Sequence, residues 1–588
     1  MLKVLTAAQM REVDRLTTER YGIPSIILME NAAHAVARVI TEKLGSSVKG
    51  KSILILCGKG NNGGDGAALA RMLSDAGAVV TVELFGKVVE TNGDARVNFE
   101  KVQRKAKSLF SPKLKLSEVQ PETEDNGVSD WMDNSDYDVV DMVVDALFGT
   151  GLNRKLEGFF DEQIGILNEW KRIYGTPQFV SVDVPSGLNS DIPNQDGKSI
   201  HADVTVTFTS PKPANVLPPA SRSNGKLVVA DIGSPRDLID KQITQLYQAE
   251  KEDSALWLRA TEFSKDSYKN KRGHTLLIAG SNDYSGAAVL AGNAAMRSGV
   301  GLVTVACPKE AKAEIASRLL PDVILKGIDS EVATQELISD ADAIAVGCGL
   351  DANDVSIEKL VRDIVETRKV PVIVDAGALW FFNPPSDLLQ KHAPSKGEQM
   401  QKPAREQGRN AQLPDTALTD VQASANEAGR MPAEIPNTDA DKSVPAPLIL
   451  TPHEGEFMRL LGTDDKDTIK DRVAAVRDFA TNNNVILVLK GERVLIGEPG
   501  GKVVVNPTGN SGLGKAGNGD TLTGILAGFV AQAVKMEIDI FETVVAAVYI
   551  AGMAGDIAEK KFGKRVMTAS DVRECLVEVF AKFECKGS

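Results

Sequence analysis

Cysteine, positive charge and long apolar runs are all scarce in this sequence, and each shortage excludes a class of protein. The 588 residues include five cysteines with no C-x-x-C pair, which disfavours a disulfide framework or a zinc site and favours a reducing compartment. Acidic residues outnumber lysine and arginine by 80 to 67, giving a net charge of −13. Because this field repels phosphate backbones, we expect no nucleic-acid partner.

No run of about 18 apolar residues occurs, as a membrane-spanning helix would need. The most apolar helical stretch, Val544–Ala558, is too short for a bilayer. The start of the chain, MLKVLTAAQMREVDRL, is charged and lacks the continuous apolar core of a signal peptide. The sequence therefore predicts a cytoplasmic protein with no membrane partner.

Strand-like apolar runs are abundant, and they fall into two series that alternate with helical patterns. Such continuous β-branched runs are typical of parallel strands buried on both faces. The first series includes SILIL, VVTVELF and DVTVTF, and the second includes TLLIAG, LVTVAC and VILVLKG. We predict an α/β protein of two domains, over residues 1–245 and 250–588. Residues 391–447 are polar with almost no aromatic or β-branched content, which predicts a disordered insert; residues 121–138 form a smaller polar insert.

A glycine-rich turn, C-G-K-G-N-N-G-G-D-G over residues 57–66, follows the first of these strands. Its G-x-G-x-x-G spacing fits a turn where backbone N–H groups approach a pyrophosphate at a helix N-terminus. The alternative is a tight strand-to-helix turn without a ligand. The added amide and carboxylate oxygens indicate contacts to a ribose or to a monovalent cation.

Two further strand ends in the first half carry an aspartate beside a glycine turn. Asp145 lies in VDALFGTGL, and Asp183 lies in VDVPSGLNSD. Since the carboxyl ends of parallel strands meet at one edge of a sheet, Asp65, Asp145 and Asp183 are predicted to converge on one site. The alternative is that each aspartate caps the following helix.

Together with LMENAA at residues 28–33, these motifs resemble the NAD(P)H-hydrate epimerase family over about residues 1–240. That family has a Rossmann-like α/β/α sandwich and interconverts the R and S forms of a nicotinamide nucleotide hydrated on its dihydropyridine ring. The resemblance implies a potassium ion at Asn62, Asp145 and Ser186. It also implies that Asp183 is a catalytic residue. The substrate contacts that it implies are Asn61, Asn62, Gly63, Gly64, Asp65, Gly149, Thr150, Gly151, Leu152, Asn153, Arg154, Lys155 and Asp183. The family varies at residues 153–155.

The second half carries a G-x-G-D motif, Gly517 to Asp520, directly before the helical run TLTGILAGFVAQAV. Amide N–H groups at this helix start would stabilise developing negative charge, while Asp520 accepts a proton from a substrate hydroxyl. This combination favours phosphoryl transfer. The alternative is a capped helix start without a catalytic role.

The G-x-G-D motif resembles the ribokinase-like superfamily, and the further motifs YSGAA, VGCGL, TPHEGEF, LKG and NPTGN resemble NAD(P)H-hydrate dehydratase over about residues 260–585. The resemblance implies that the S hydrate contacts Ala287, Gly349, His453 and Asp520. It implies an adenine nucleotide with Mg²⁺ along Lys490, Gly491, Glu492, Arg493 and Val494 and at Gly517 and Gly519. One departure is Gly377, where the family commonly has a second aspartate after Asp375; its loss predicts a weaker polar or magnesium-linked contact without loss of activity.

The sequence thus predicts a homo-oligomeric enzyme that repairs NADH hydrate and NADPH hydrate. The first domain would equilibrate the epimers, and the second would use ADP, with ATP as the alternative donor, to phosphorylate and then dehydrate the S form. A second reading is a ribokinase-like kinase for a vitamin precursor, hydroxymethylpyrimidine or a thiazole, with a non-catalytic binding or scaffold domain in front. An NAD-dependent dehydrogenase follows from G-x-G-x-x-G alone, but no hydride-acceptor site accompanies that motif.

Overall fold

The computed structural model describes residues 1–108, 113–120, 140–175, 177–194, 197–328, 331–382 and 445–584. The smaller predicted insert, 121–138, and residues 391–444 of the larger one lie outside the described residues. The predicted disorder of these segments therefore stays a prediction.

The first half of the chain forms a seven-stranded, wholly parallel sheet. Its strands follow the two-residue strand β1 (Leu2–Lys3) and are β2 (Ser52–Cys57), β3 (Val79–Phe85), β4 (Leu114–Val119), β5 (Met142–Ala146), β6 (Gln178–Val182), β7 (Val204–Phe208) and β8 (Lys226–Ala230). They lie in the order β4-β3-β2-β5-β6-β7-β8. The helices around them are Ala7–Tyr21, Ser25–Lys43, Asn61–Asp75, Gly93–Ala106 and Phe159–Tyr174, with the short helices Pro213–Val216 and Arg236–Asp240.

Strand β2 shows why these strands are apolar along their whole length. Its side chains alternate between the two faces of the sheet. Ile53 and Ile55 belong to one buried cluster, whereas Leu54 and Leu56 belong to another. Both faces are therefore covered, as the unbroken apolar run predicts.

The second half forms an eleven-stranded mixed sheet. Besides β1 it contains β9 (Leu246–Gln248), β10 (His274–Ile278), β11 (Leu302–Pro308), β12 (Ile324–Ile328), β13 (Ala343–Val346), β14 (Val372–Val374), β15 (Leu448–Leu450), β16 (Ile486–Leu489), β17 (Leu495–Gly497) and β18 (Val503–Val505). The order is β1-β9-β18-β17-β16-β15-β14-β13-β10-β11-β12. Because β1 pairs with β9, the chain begins in this sheet, forms the first sheet and returns at β9. The helices are Lys251–Ala260, Ser285–Met296, Lys312–Ala316, Glu331–Ser339, Val355–Thr367, Glu454–Leu460, Arg472–Asn483, Asn518–Lys535, Ile540–Phe562 and Ala569–Glu584.

The apolar stretch that was expected to be too short for a bilayer lies in a longer helix, Ile540–Phe562, so that expectation of length is wrong. Among the described residues it is the one helix long and apolar enough to cross a membrane, and 67% of its apolar window is buried inside the protein. Val544, Val548 and Ile550 pack in the main cluster of the second domain. Its apolarity is accounted for by this core position.

Candidate functional site

Both sheets have a point where the strand order reverses, and the predicted sites lie at these two points. In the first sheet β2 is followed by β3 on one side, while β5 lies on its other side; in the second sheet β10 lies between β11 and β13 in the same way. Loops that leave neighbouring strands in opposite directions open a crevice at the carboxyl edge of a parallel sheet. Asn61–Asp65 follow β2, and Asp145 is the second-last residue of β5, at the first crevice.

The glycine turn at the first crevice is sterically restricted. A Cβ on Gly63 would lie 1.8 Å from the Gly58 carbonyl oxygen, and one on Gly58 would lie 2.0 Å from the Leu147 carbonyl oxygen. The turn therefore brings the start of helix Asn61–Asp75 against the loop after β5. A Cβ on Gly149 would lie 3.1 Å from Asn62 Oδ1, so these two predicted residues adjoin.

Asp145 is fully buried and accepts hydrogen bonds from neutral donors. The Ser181 hydroxyl and the Ser186 amide each lie 2.8 Å from Oδ2, and the Ser186 hydroxyl lies 2.5 Å from Oδ1. Burial raises the pKa of Asp145, while these hydrogen bonds oppose that rise. Asn62 Nδ2 is buried and has no hydrogen-bond partner among the described residues; as a donor it suits an acceptor rather than a cation. The oxygens of Asp145, Ser186 and Asn62 are of the type that hard cations prefer.

Asp183 is paired with a lysine that the sequence analysis missed. Lys212 Nζ lies 2.6 Å from Asp183 Oδ1, and the Thr207 hydroxyl donates to the same oxygen at 2.9 Å. The Lys212 side chain is only 2% exposed. Asp183 itself has a positive φ of 66°, which is unusual for a residue with a side chain. The available signal was the S-P-K turn at 210–212, shortly after the buried strand β7, which is the fourth strand end at the same edge.

Two more carboxyl groups face this pair. Burial and the Asp183 charge raise the pKa of Asp65 well above its usual value, although Lys212 opposes the rise. Asp14, on helix Ala7–Tyr21, was also missed; burial raises its pKa to about 6. Its Oδ1 is buried without a hydrogen-bond partner among the described residues. In the loop 149–155, Leu152 is buried, whereas Asn153, Arg154 and Lys155 are exposed, as are Thr150 and Gly151 in part or in full.

At the second crevice the structure brings Ala287 and Gly349 together. Gly349 follows β13 with a positive φ of 67°, and a Cβ there would lie 2.8 Å from the Ala287 Cβ and 2.5 Å from the Tyr284 carbonyl oxygen. Glycine is required for this close approach. Ala287 stands in the first turn of helix Ser285–Met296, so a helix start also faces the crevice.

Asp520 and Asp375 form the acidic part of the second site. Lys490 Nζ lies 2.7 Å from Asp375 Oδ1, and the Thr523 hydroxyl donates to Oδ2 at 2.7 Å. Burial alone would raise the pKa of Asp375, but Lys490 and Thr523 hold it below its usual value. Burial, and then the Asp375 charge, raise the pKa of Asp520 to about 6. Asp375 was not among the predicted site residues, although its motif was noted.

Gly519 lies against the same group of charges. A Cβ there would be 3.6 Å from Lys490 Nζ and 3.9 Å from Asp375 Oδ2. Gly517 caps helix Asn518–Lys535 with a left-handed φ of 89°. The G-x-G-D segment thus forms a helix start with its carboxylate and its amides at one point.

His453 caps helix Glu454–Leu460. Its backbone N–H donates to Glu456 Oε2 at 2.7 Å, and its Nδ1 accepts from the Glu456 N–H at 3.2 Å. The side chain is nevertheless 58% exposed, with its Nε2 3.5 Å from Glu456 Oε1. The structural role is therefore present, and it does not prevent a second role in substrate contact.

The loop after β16 holds the predicted nucleotide contacts Lys490 to Val494. The Lys490 N–H donates to the Pro452 carbonyl at 2.9 Å, which ties the loop to the turn before His453. Arg493 Nη1 donates to the Pro507 carbonyl at 2.5 Å. The Asn506 N–H donates to the Val494 carbonyl at 2.9 Å. These bonds hold the loop Lys490–Val494 against the T-P-H motif at 451–453 and the N-P-T motif at 506–508.

Two parallel-sheet crevices, the second with a carboxylate at a glycine-rich helix start, define a two-domain α/β enzyme. Residues 25–214 match the model of YjeF-related protein N-terminus, and residues 275–396 and 436–577 match that of NAD(P)H-hydrate dehydratase. The chain is 33% identical to the bifunctional NAD(P)H-hydrate repair enzyme Nnr of Moorella thermoacetica, over 99% of this chain and 97% of the relative. It is 30% identical to the enzyme of the same name from Thermofilum pendens, over 97% of this chain and 94% of that one. The chain belongs to the family of bifunctional NAD(P)H-hydrate repair enzymes, which confirms the predicted resemblance.

A solved structure is also similar. The ADP/ATP-dependent NAD(P)H-hydrate dehydratase of Bacillus subtilis, crystallised with ATP and Mg²⁺, shows 27% identity and a TM-score of 0.43. It covers 58% of this chain and all of that one.

Proposed function

We propose that this chain repairs hydrated NADH and NADPH, with epimerisation in the first domain and ADP-dependent dehydration of the S hydrate in the second. The observation that carries the proposal is Asp520, a carboxyl group with a raised pKa at the start of a glycine-capped helix. This pairing of a proton acceptor with an anion site suits transfer of a phosphoryl group to a hydroxyl. The location is proposed to be cytoplasmic and the assembly homo-oligomeric.

In the second domain, Asp520 would accept the proton of the ring hydroxyl as the hydroxyl oxygen bonds to the terminal phosphorus of the nucleotide. The bond from that phosphorus to the bridging oxygen would break at the same time, and AMP (from ADP) or ADP (from ATP) would leave with the electron pair. The amides that begin helix Asn518–Lys535 would stabilise the charge on the phosphoryl oxygens. The ring C–O bond then breaks, phosphate leaves with the electron pair, and loss of a proton from the neighbouring carbon restores the double bond. Ala287, Gly349 and His453 would contact the hydrate.

The nucleotide would lie along the loop Lys490–Val494 and over Gly517 and Gly519. We propose ADP as the donor, with ATP as the alternative. Magnesium prefers oxygen ligands and neutralises charge on phosphates. Asp375 is already held by Lys490 and Thr523. No group of three metal-ligating His, Cys, Asp or Glu side chains occurs in the described part of the chain, so the ion would be held largely by the nucleotide.

In the first domain, Asp183 would exchange a proton with the hydrate. Lys212 and Thr207 both donate to Oδ1, which leaves Oδ2 for the substrate. Asn61–Asp65 and the loop 149–155 would hold the rest of the molecule. Asn62, Asp145 and Ser186 would hold a potassium ion, which supplies positive charge near the substrate's anionic groups when it is bound.

The test is recovery of reduced-nicotinamide absorbance from mixed R and S NADH hydrate, with Mg²⁺ and either ADP or ATP. Complete recovery, with the better nucleotide identified, supports both steps. Recovery that stops at half leaves the first domain as a binding module. No recovery with either nucleotide contradicts the repair function and favours a vitamin-precursor kinase.

A further inference from the structure

The first domain makes a charged contact with the loop that carries the proposed nucleotide site of the second. Arg222 lies in the turn Ala220–Asn224, and Glu492 lies in the loop after β16. Arg222 Nε lies 2.9 Å from Glu492 Oε1 and 3.0 Å from Oε2, and Nη2 lies 2.5 Å from Oε2. A fork of two guanidinium donors on one carboxylate fixes orientation better than a single bond does. The direction of Glu492 is therefore set from the other domain.

Neighbouring contacts surround this pair. Asn194 Nδ2, in the first domain, donates to the Lys470 carbonyl at 3.1 Å, just before helix Arg472–Asn483. A cavity of about 260 Å³ lies between the domains, and Arg493 of the loop forms part of its wall together with Asn215, Asn224 and Gln248. The loop thus lies against the first domain along residues 492–493.

A second arginine, Arg472, lies beside the same loop. Nε and Nη2 of Arg472 are buried and have no hydrogen-bond partner among the described residues. A Cβ on Gly491 would lie 2.5 Å from Arg472 Nη2, so this guanidinium lies directly under the loop. Burial lowers the pKa of Arg472, while the charges of Glu454 and Glu492 oppose that shift. Arg472 as a whole is half-buried, but its two buried N–H groups without an acceptor are costly, and a Glu492 released from Arg222 would supply one.

We propose that Arg222 is a positioning residue of the dehydratase site: it holds Glu492 away from Arg472 and so keeps the loop Lys490–Val494 in the conformation that accepts the nucleotide. This inference rests on the proposed function of the second domain. The first domain thereby contributes to the nucleotide site of the second, because Arg222 belongs to the first domain and the loop Lys490–Val494 to the second.

The experiment measures dehydration of purified S hydrate, which needs no epimerisation, at varied ADP concentration. Arg222→Ala is expected to raise the KM for ADP about threefold to fivefold, with kcat unchanged, which is the range of a partly exposed ion pair. The double variant R222A/R472M is expected to return the KM to within about twofold of the wild type, because it also removes the guanidinium that would draw Glu492 away. Rescue by a second substitution separates positioning from a general loss of structure.

Arg172→Ala is the matched control, because Arg172 makes an exposed pair with Glu169 in the same domain and should leave the KM for ADP unchanged. An unchanged KM in Arg222→Ala overturns the inference, as does an R222A/R472M variant whose KM is no better than that of Arg222→Ala. Wild-type protein that dehydrates the S hydrate without any nucleotide dependence overturns the proposed function, and this inference falls with it.

Discussion

Asp183 and Asp520 are the two carboxylates proposed to transfer a proton, one in each domain, yet their surroundings are opposite. Asp183 is bonded to the buried ammonium of Lys212 at 2.6 Å. In the second domain the corresponding ammonium, Lys490, is bonded to Asp375 instead, and Asp520 is left with a pKa of about 6. The comparison shows two ways of placing a lysine at a proton-transferring carboxylate: Lys212 bonds to Asp183 directly, whereas Lys490 bonds to the acidic neighbour of Asp520.

The largest effect is expected from Asp520→Asn. The amide cannot accept the hydroxyl proton, so the dehydration rate should fall by about 10² to 10⁴-fold, the usual contribution of a general base. The measurement is nicotinamide absorbance with purified S hydrate and ADP. The epimerisation rate, measured as conversion of R hydrate to S hydrate, should stay at the wild-type value. A variant that keeps more than a tenth of the activity would assign the base elsewhere.

Lys212→Met should remove the feature that distinguishes the two carboxylates. Loss of one partner from a buried ion pair leaves an uncompensated charge and costs about 3–5 kcal/mol of unfolding free energy. We expect a lower Tm and a loss of epimerisation, with dehydration of the S hydrate retained in the folded fraction. Thermal unfolding and separate assays of the two steps measure this.

The matched control is Lys198→Met, which breaks the more exposed pair with Asp161. Such pairs contribute about 0–1 kcal/mol, so the Tm should barely change. If both lysine variants lose the same stability, the pairing of Asp183 is not the special feature of the first site.

The raised pKa of Asp520 sharpens the comparison through pH. Since the carboxyl must be ionised to act as a base, dehydration should fall as pH drops through about 6, by about tenfold per unit below it. A raised folded pKa also means that the native state favours the protonated form. Ionised Asp520 should therefore cost about 3 kcal/mol of stability at pH 8, and about half of that at pH 5.

Asp520→Asn checks the sign of this linkage. The variant should be stabilised relative to wild type, and the gain in Tm should be larger at pH 8 than at pH 5. A gain that is equal at the two pH values would mean that the Asp520 charge is not what burial penalises.

Much of the fold and the local part of each site could be predicted from the sequence. β3 was predicted with its exact bounds, because a continuous β-branched run leaves few alternatives. Asp145 with Ser186, and Ala287 with Gly349, come together because strand ends meet at one edge. Lys212 could have been found in the same way, from the turn after β7, but Asp14 and Arg222 could not. They lie in remote segments, and no local spacing connects a side chain on the first helix with a strand end in the middle of the chain.

Gly377 is where the second site departs from the pattern of its family, which commonly places a second carboxylate beside Asp375. A Cβ on Gly377 would lie 2.5 Å from the Leu350 carbonyl oxygen and 3.4 Å from that of Gly347, so an aspartate requires the backbone to move. Gly377→Asp should therefore cost about 1–3 kcal/mol of stability, as overpacking does, and should slow dehydration rather than speed it. Thermal unfolding and kcat measure the two effects, and Gly500→Ala, where the nearest atom is a flexible Glu498 oxygen at 3.4 Å, should be close to neutral. A Gly377→Asp variant that is stable and faster would show that the backbone can move, and that Asp375 and Asp520 work better with a third carboxylate beside them. The first site already has three, because Asp14 and Asp65 lie near Asp183.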